Sequence, residues 1–188
     1  MTDVTAVVED PNRLAALRRL VLLDSPPSPA FDRLARLAAR VLHSPVAMVT
    51  LIDRDRQFFK AAVGLPEPLA SQRETPLAWS ICQYVVAGGR PLFIGDARQD
   101  ASLADHPVVR DFGVVAYGGA PIFTVDGHAV GSVCVLDVVP RQWTDADVEN
   151  LEDLAAIAAR EARHHLQERL EAHRREWRGV RRGPGGGL

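Results

Sequence analysis

The chain's two cysteines, Cys82 and Cys134, are the residues best suited to covalent chemistry. A thiolate is a nucleophile and a redox group. Neither cysteine has an activating base close by in sequence, and their spacing is not that of a metal site. Cys82 falls on an apolar helical stretch with Ala78, Val85 and Val86, and Cys134 in an apolar strand. Cysteines in such places act as small buried hydrophobes, and packing is the reading favoured here. A second set, Asp96, Arg98, Asp100, Asp105 and His106, could form a polar lid that fixes a small ligand. The same residue types serve turns, where Asp accepts hydrogen bonds from nearby backbone N–H groups, and that reading is the stronger. Trp79, Cys82, Gln83 and Tyr117 could line a mostly apolar pocket with a few polar handles, or simply pack in the core. Glu161 and His165, like His164 and Glu168, stand four apart on one helix. Two ligands do not make a metal site, so these pairs read as solvated. No glycine-rich phosphate loop and no nucleophile elbow occurs. The chain therefore reads as a binding module and not an enzyme.

The elements that would position these residues follow from patterning. Val46–Ile52 is apolar or β-branched on both alternating faces, which places it mid-sheet. Asp53-Arg54-Asp55 breaks it, and Gln57–Val63 reads as the second strand of an antiparallel hairpin. Lys60, the chain's one lysine, is expected to mark that strand as a sheet edge. A second hairpin is expected over Val114–Phe123 and Ala129–Asp137, its last strand again apolar on both faces and beside the first. Two irregular excursions, 65–75 and 95–113, separate these strands from a helix over Leu77–Ala87, capped by Thr75-Pro76, and a short edge strand, Pro91–Ile94. Asp10-Pro11, Ser28-Pro29 and Thr144 read as helix starts. Helices after them carry Leu14, Leu17 and Leu20, then Phe31, Leu34 and Ala38, then Leu151, Ala155, Ala158 and Ala162 at helical spacing. The expected fold class is α+β: an antiparallel sheet of five to six strands, terminal helices on one face and a pocket under the excursions on the other.

At 188 residues, 47% apolar and 24% charged, the chain is one soluble domain by size. A net charge of −2 gives no overall pull toward nucleic acid or anionic lipid. The acidic start MTDVTAVVED is not a signal peptide, and a cytoplasmic protein is expected. The expected organisation is a frayed 1–9, a domain over 10–165, a helical extension over 166–178 and a disordered tail over 179–188. The extension carries Leu166 and Leu170 among charges, and Leu14 and Leu17 could join them in a dimer seam. Arginines around Trp177 read as tail, not as a nucleic-acid site.

The order of these pieces resembles the GAF domain family of bacterial signalling modules. The likeness runs through FDRLARLAARVLHSPVAMVTLIDRDRQFFKAAVGL (31–65), SIC (80–82), PLFIGDARQD (91–100), YGGAPI (117–122) and DGHAVGSVCVLD (126–137). It implies a sheet ordered 2-1-5-4-3, a ligand pocket between sheet and excursions, and dimerisation through terminal helices. It further implies a signalling partner, here expected in trans, with the ligand and any cofactor unidentified. Candidate ligand contacts are then Trp79, Cys82, Gln83, Asp96, Arg98 and Tyr117. Two departures would alter that pocket if those positions touch ligand in relatives: Val115 and Ala116 replace an Arg-aromatic pair, and Tyr84 stands where His is frequent. An interaction scaffold with a vestigial pocket is the alternative. Some GAF-like enzymes reduce free methionine sulfoxide with loop cysteines, but Cys82 and Cys134 fall in regular elements.

Overall fold

The computed structural model describes residues 3–180, with side chains described to residue 175. Its sheet has six strands: β1 (Val46–Ile52), β2 (Arg56–Val63), β3 (Glu74–Pro76), β4 (Leu92–Ile94), β5 (Ala116–Phe123) and β6 (Ala129–Asp137). All pairings are antiparallel, in the order β3-β2-β1-β6-β5-β4. Without the three-residue β3, this is the expected 2-1-5-4-3. The two strands apolar on both faces, β1 and β6, lie side by side in the middle, with Met48 opposite Cys134 and Thr50 opposite Ser132. Pro121 is tolerated in β5 because β4 pairs only as far as Gly119, so no partner strand needs its missing N–H.

Alternation along the strands divides two cores. Ala47, Val49, Leu51, Val133 and Val135 face α3 (Pro29–Val41) and α7 (Asp145–Val180). Met48, Ile52, Cys134 and Leu136 face the other way, toward α5 (Cys82–Gly88). In α3, Phe31, Leu34, Ala35 and Ala38 are buried, as is Leu42 at its C-cap, close to the predicted stripe. α7 begins at a reciprocal cap: Asp147 N–H donates to Thr144 Oγ1 at 3.2 Å, and Thr144 N–H to Asp147 Oδ2 at 2.9 Å. Its alanines let it lie close on β5 and β6. No residue of α7 beyond Ala162 is buried among those described. Its 36 residues measure about 54 Å.

Four expectations are corrected. Part of the start expected to fray is helical: α1 (Val4–Val8) is capped by Asp3 and buries Val8 fully. α1 packs on α5, on the pocket side, whereas α2 (Pro11–Arg19) packs on the helix side of β6. Leu14 and Leu17 are 2% and 0% exposed, so the helix seals the core and offers neither to a dimer. The helix expected over Leu77–Ala87 is split. Leu77–Trp79 is a single 3₁₀ turn, Ser80 is extended (φ −102, ψ 116), and α5 starts only at Cys82. The Ser80 hydroxyl donates to Gln57 Oε1 on β2, which fixes the break. Thr75-Pro76 consequently pairs with β2 as β3 and does not cap a helix. The expected disorder at 179–188 lies outside the described residues from 181 onward, while α7 itself reaches Val180.

The fourth correction is Lys60, which is 1% exposed and guards no edge. Its ammonium donates to Ser25 Oγ and Pro26 O, both at 2.7 Å, and lies 5.5 Å from the Phe31 ring centroid. Arg73, which donates to Lys60 O at 3.3 Å, and the 24–27 turn cover this side of β2, so the long stem packs inward. Burial, reinforced by the Arg73 charge and offset by Asp32, pushes its pKa down to about 8 from the ordinary 10.5. Between these values the unfolded chain holds a proton that the folded chain has shed. The penalty is therefore complete below about pH 8, and stability rises with pH through the window from 8 to 10.5. We expect wild type to gain stability relative to Lys60→Met across that window in urea titrations. Parallel pH curves for the two proteins would contradict it.

Candidate functional site

Between the pocket face of the sheet and the excursions lies a cavity of about 360 Å³. The sheet supplies Met48, Gln57, Phe59, Tyr117 and Leu136 as its floor. The first excursion and the 3₁₀ turn after it supply Leu65, Pro66, Leu69 from α4 (Leu69–Gln72), Thr75 and Trp79; the second excursion and the residue after it supply Val108 from α6 (Pro107–Arg110), Phe112 and Val114. Trp79, from that 3₁₀ turn, and Phe112, from the second excursion, meet with ring centroids 5.4 Å apart and close one wall. The excursions are thus a roof of short turns, not free loops.

Three of the six candidate ligand residues reach this cavity: Trp79, Cys82 and Tyr117. Gln83, Asp96 and Arg98 do not line it. Gln83 Nε2 donates back to Leu77 O at 3.0 Å and Ser80 O at 2.9 Å, holding the 3₁₀ turn against α5. Asp96 caps a 3₁₀ turn, accepting from Arg98 N at 3.1 Å, Arg98 Nε at 2.8 Å and Gln99 Nε2 at 3.1 Å. Those bonds hold its carboxyl well below the usual carboxylate range. Asp100 accepts from Ser102, and His106 Nδ1 accepts from Val108 N at 3.3 Å. The second excursion's polar residues mainly perform turn chemistry, as the favoured reading had it.

The cavity's polar content is small and specific. Asp137 lines it, but its carboxylate pairs with Arg141 at 2.9 Å and accepts from Val138 N at 2.8 Å. Arg141 in turn donates to His43 O and stacks over Trp143. Gln57 Oε1 is taken by Ser80. Thr75 is different: its hydroxyl oxygen is buried with no partner among the described residues. Sequence reasoning missed Gln57 and Thr75 because both were read as ordinary strand and cap residues; their pairing across β2 and β3 places them on the wall.

At the floor the two cysteines meet. Their sulfurs are 3.5 Å apart, and the Tyr117 hydroxyl donates to Cys82 Sγ at 3.2 Å. Gly119, opposite Cys134 in the ladder, makes room: a Cβ there would overlap the Tyr117 hydroxyl. Tyr117 therefore lies along its own strand and delivers its hydroxyl to the thiols. Among the described residues no group of three or more His, Cys, Asp or Glu side chains could hold a metal ion. No described helix is long and apolar enough to cross a membrane.

Known proteins resemble this chain in sequence and in fold. A cyclic di-GMP phosphodiesterase of Pseudomonas aeruginosa is 31% identical over 151 residues, 79% of this chain. The chain spans 25% of that protein's length. The blue-light absorbing form of the Thermosynechococcus elongatus PixJ GAF domain superposes with a TM-score of 0.61 at 20% identity, over 85% of this chain and 95% of that one. The GAF domain of an Acinetobacter phosphoenolpyruvate-protein phosphotransferase gives 0.60 at 18%, over 82% and 95%. At these identities the two structures speak for the fold alone. Residues 26–162, from the turn before α3 to the last buried turn of α7, match the GAF domain sequence profile, and the chain belongs to the GAF domain family.

Proposed function

We propose that the chain is a non-catalytic sensory module that binds a small, uncharged, largely apolar molecule and passes its state to a signalling partner. One observation carries the reading: an apolar cavity of about 360 Å³ whose wall holds a buried, unpartnered hydroxyl, Thr75 Oγ1. A buried polar group without a partner costs stability; this oxygen is closed off from the cavity as it stands, so a small shift of β3 would let a ligand group reach it and remove the cost. Asp137, the one acidic group lining the cavity, is already paired with Arg141, which disfavours a charged ligand. Binding would favour one seating of α5 and the roof through differential contacts, a population shift. α5 packs on α1, so the N-terminal helix is the nearest reporter of that seating. The phosphodiesterase relative, of which this chain spans 25%, supports an output enzyme as the partner.

Native mass spectrometry of the purified chain tests the pocket. A compound retained by wild type should bind Thr75→Val roughly tenfold more weakly, the value of one hydrogen bond. Met48→Trp, which fills the floor, should exclude it. Equal retention in all three would end the reading.

The overhang of α7 supports a homodimer. Leu166 is half-buried against the core, while Leu170 is 49% exposed and sits amid charged residues. A helix with so thin a seam is marginal in water alone and gains by pairing with its symmetry mate. Leu170→Glu should then shift light scattering from dimer to monomer. A wild-type monomer at tens of micromolar would remove the proposal.

A further inference from the structure

A buried cysteine by itself is ordinary core filling. Cys82 and Cys134 are a pair, brought to 3.5 Å by the seating of α5 over the middle of β6. Their surroundings are polar in an otherwise apolar core. Tyr117 donates to Cys82, and on the same face Thr50 Oγ1 and Ser132 Oγ lie 3.1 Å apart on neighbouring central strands. The two sulfurs are not equivalent. Cys82 lines the cavity and Cys134 does not, so a small reactant in the cavity meets Cys82 first. Burial pushes the Cys82 thiol up, but hydrogen bonds from Cys134, Ser132, Tyr117 and Thr50 outweigh it and bring the pKa below that of a free thiol. Cys134 is held well above, through its bond to Cys82 and burial. The pair thus releases a first proton readily and a second with difficulty.

We propose that this pair is a peroxide-oxidation site, in which Cys82 is attacked by a small hydroperoxide and Cys134 resolves the product as an intramolecular disulfide. In the first step the Cys82 sulfur attacks the terminal peroxide oxygen. The S–O bond forms, the O–O bond breaks, and the leaving oxygen takes a proton to depart as water or an alcohol. Cys82 is then a sulfenic acid. In the second step the Cys134 sulfur attacks the Cys82 sulfur. The S–S bond forms, the S–O bond breaks, and the sulfenic oxygen leaves as water with the Cys134 proton. Two thiols are oxidised by two electrons and one hydroperoxide is reduced. The reaction is stoichiometric until an external dithiol restores the pair.

The geometry also gives the oxidation a consequence. β6 is held between β1 and β5 along its length and cannot shift. α5 is a seven-residue helix flanked by turns. Closing the gap between the sulfurs therefore draws α5 toward the sheet, and α1 rests on α5. This does not require the cavity to hold a resident ligand.

The test uses the full chain, reduced and then exposed to hydrogen peroxide, read by intact mass and by alkylation of remaining thiols. Wild type should lose both thiols together, with a mass loss of two hydrogens that dithiothreitol reverses. Cys134→Ser should stop at one added oxygen, trapped on Cys82 by dimedone. Cys82→Ser should stay unoxidised, and Tyr117→Phe should slow the first step. Circular dichroism separates these outcomes from loss of fold, and the wild-type result stands without any variant. Folded wild type that keeps two alkylatable thiols overturns the proposal. So does a disulfide between chains, or equal oxidation of Cys82→Ser and Cys134→Ser.

Discussion

Gly131→Ala should be among the most damaging single-methyl additions in this domain. Gly131 sits in β6 opposite Leu51 of β1 and Ile122 of β5, flanked on both sides. A Cβ there would overlap the Thr50 carbonyl oxygen, with the Thr50 carbonyl carbon at 3.0 Å and Leu51 Cα at 3.1 Å. These are backbone atoms of the neighbouring central strand, so no side chain can rotate away. Overpacking of flexible surroundings costs about 1–3 kcal/mol. Here the ladder itself must part, and the cost should reach the top of that range or exceed it. Domains of this kind hold about 5–15 kcal/mol in total. Gly127→Ala is the control: Gly127 has φ +80 but open space around its Cβ position, so only the left-handed backbone is penalised, about 1–2 kcal/mol. Urea unfolding should therefore rank the variants wild type, Gly127→Ala, Gly131→Ala. Equal midpoints for Gly131→Ala and wild type would mean that the two central strands are not this close.

That contact also shows where sequence reading stops. The central strands were legible because burial on both faces leaves a continuous apolar run, as in Val46–Ile52 and Ala129–Leu136. The starts of α2 and α7 were legible because a cap is local chemistry: Asp10 accepts from Asn12 N, Thr144 from Asp147 N. Lys60 was misread because a lysine in a strand has two outcomes, and only the packing of the 24–27 turn decides between them. The break at Ser80 depends on Gln57, 23 positions away. The candidate site divides the same way. Trp79, Cys82 and Tyr117 stand in or beside elements whose facing could be inferred. Asp96 and Arg98 are solved locally by each other, and Gln83 by its own turn. The approach of Cys82 to Cys134 spans 52 positions and follows from how a helix seats on a strand, which no local pattern encodes.

Arg13→Ala should detach the N-terminal helix and cost several kcal/mol. Arg13 is 2% exposed, and its guanidinium joins three elements. From α2, Nε donates to Val8 O at the end of α1 at 2.9 Å, and a second nitrogen reaches the same oxygen. The third donates to Ile52 O at the end of β1 at 2.8 Å. Burial lowers its pKa, while Asp53 and Asp10 oppose that, and a guanidinium stays charged throughout the useful pH range. Hydrogen bonds to a charged donor contribute about 1.5–3 kcal/mol each, and truncation strips both buried carbonyls of this donor. Recovered desolvation of the guanidinium offsets part of this, so a net loss of about 3 kcal/mol is expected. Arg13→Lys should recover little, because a single ammonium cannot span two carbonyls as the planar fork does. Arg13 precedes the stretch that matches the family profile, so the sheet and cavity should persist in the variant. Hydrogen exchange should show where the loss falls. Amides of Val4–Val8 should lose protection first, and those of α5, on which α1 packs, should follow. Protection lost evenly across the sheet would mean that Arg13 supports the core as a whole. Unchanged protection in α1 would mean that Val8 burial alone seats it, and that the route from cavity floor through α5 to the N-terminal helix has no bolt at Arg13.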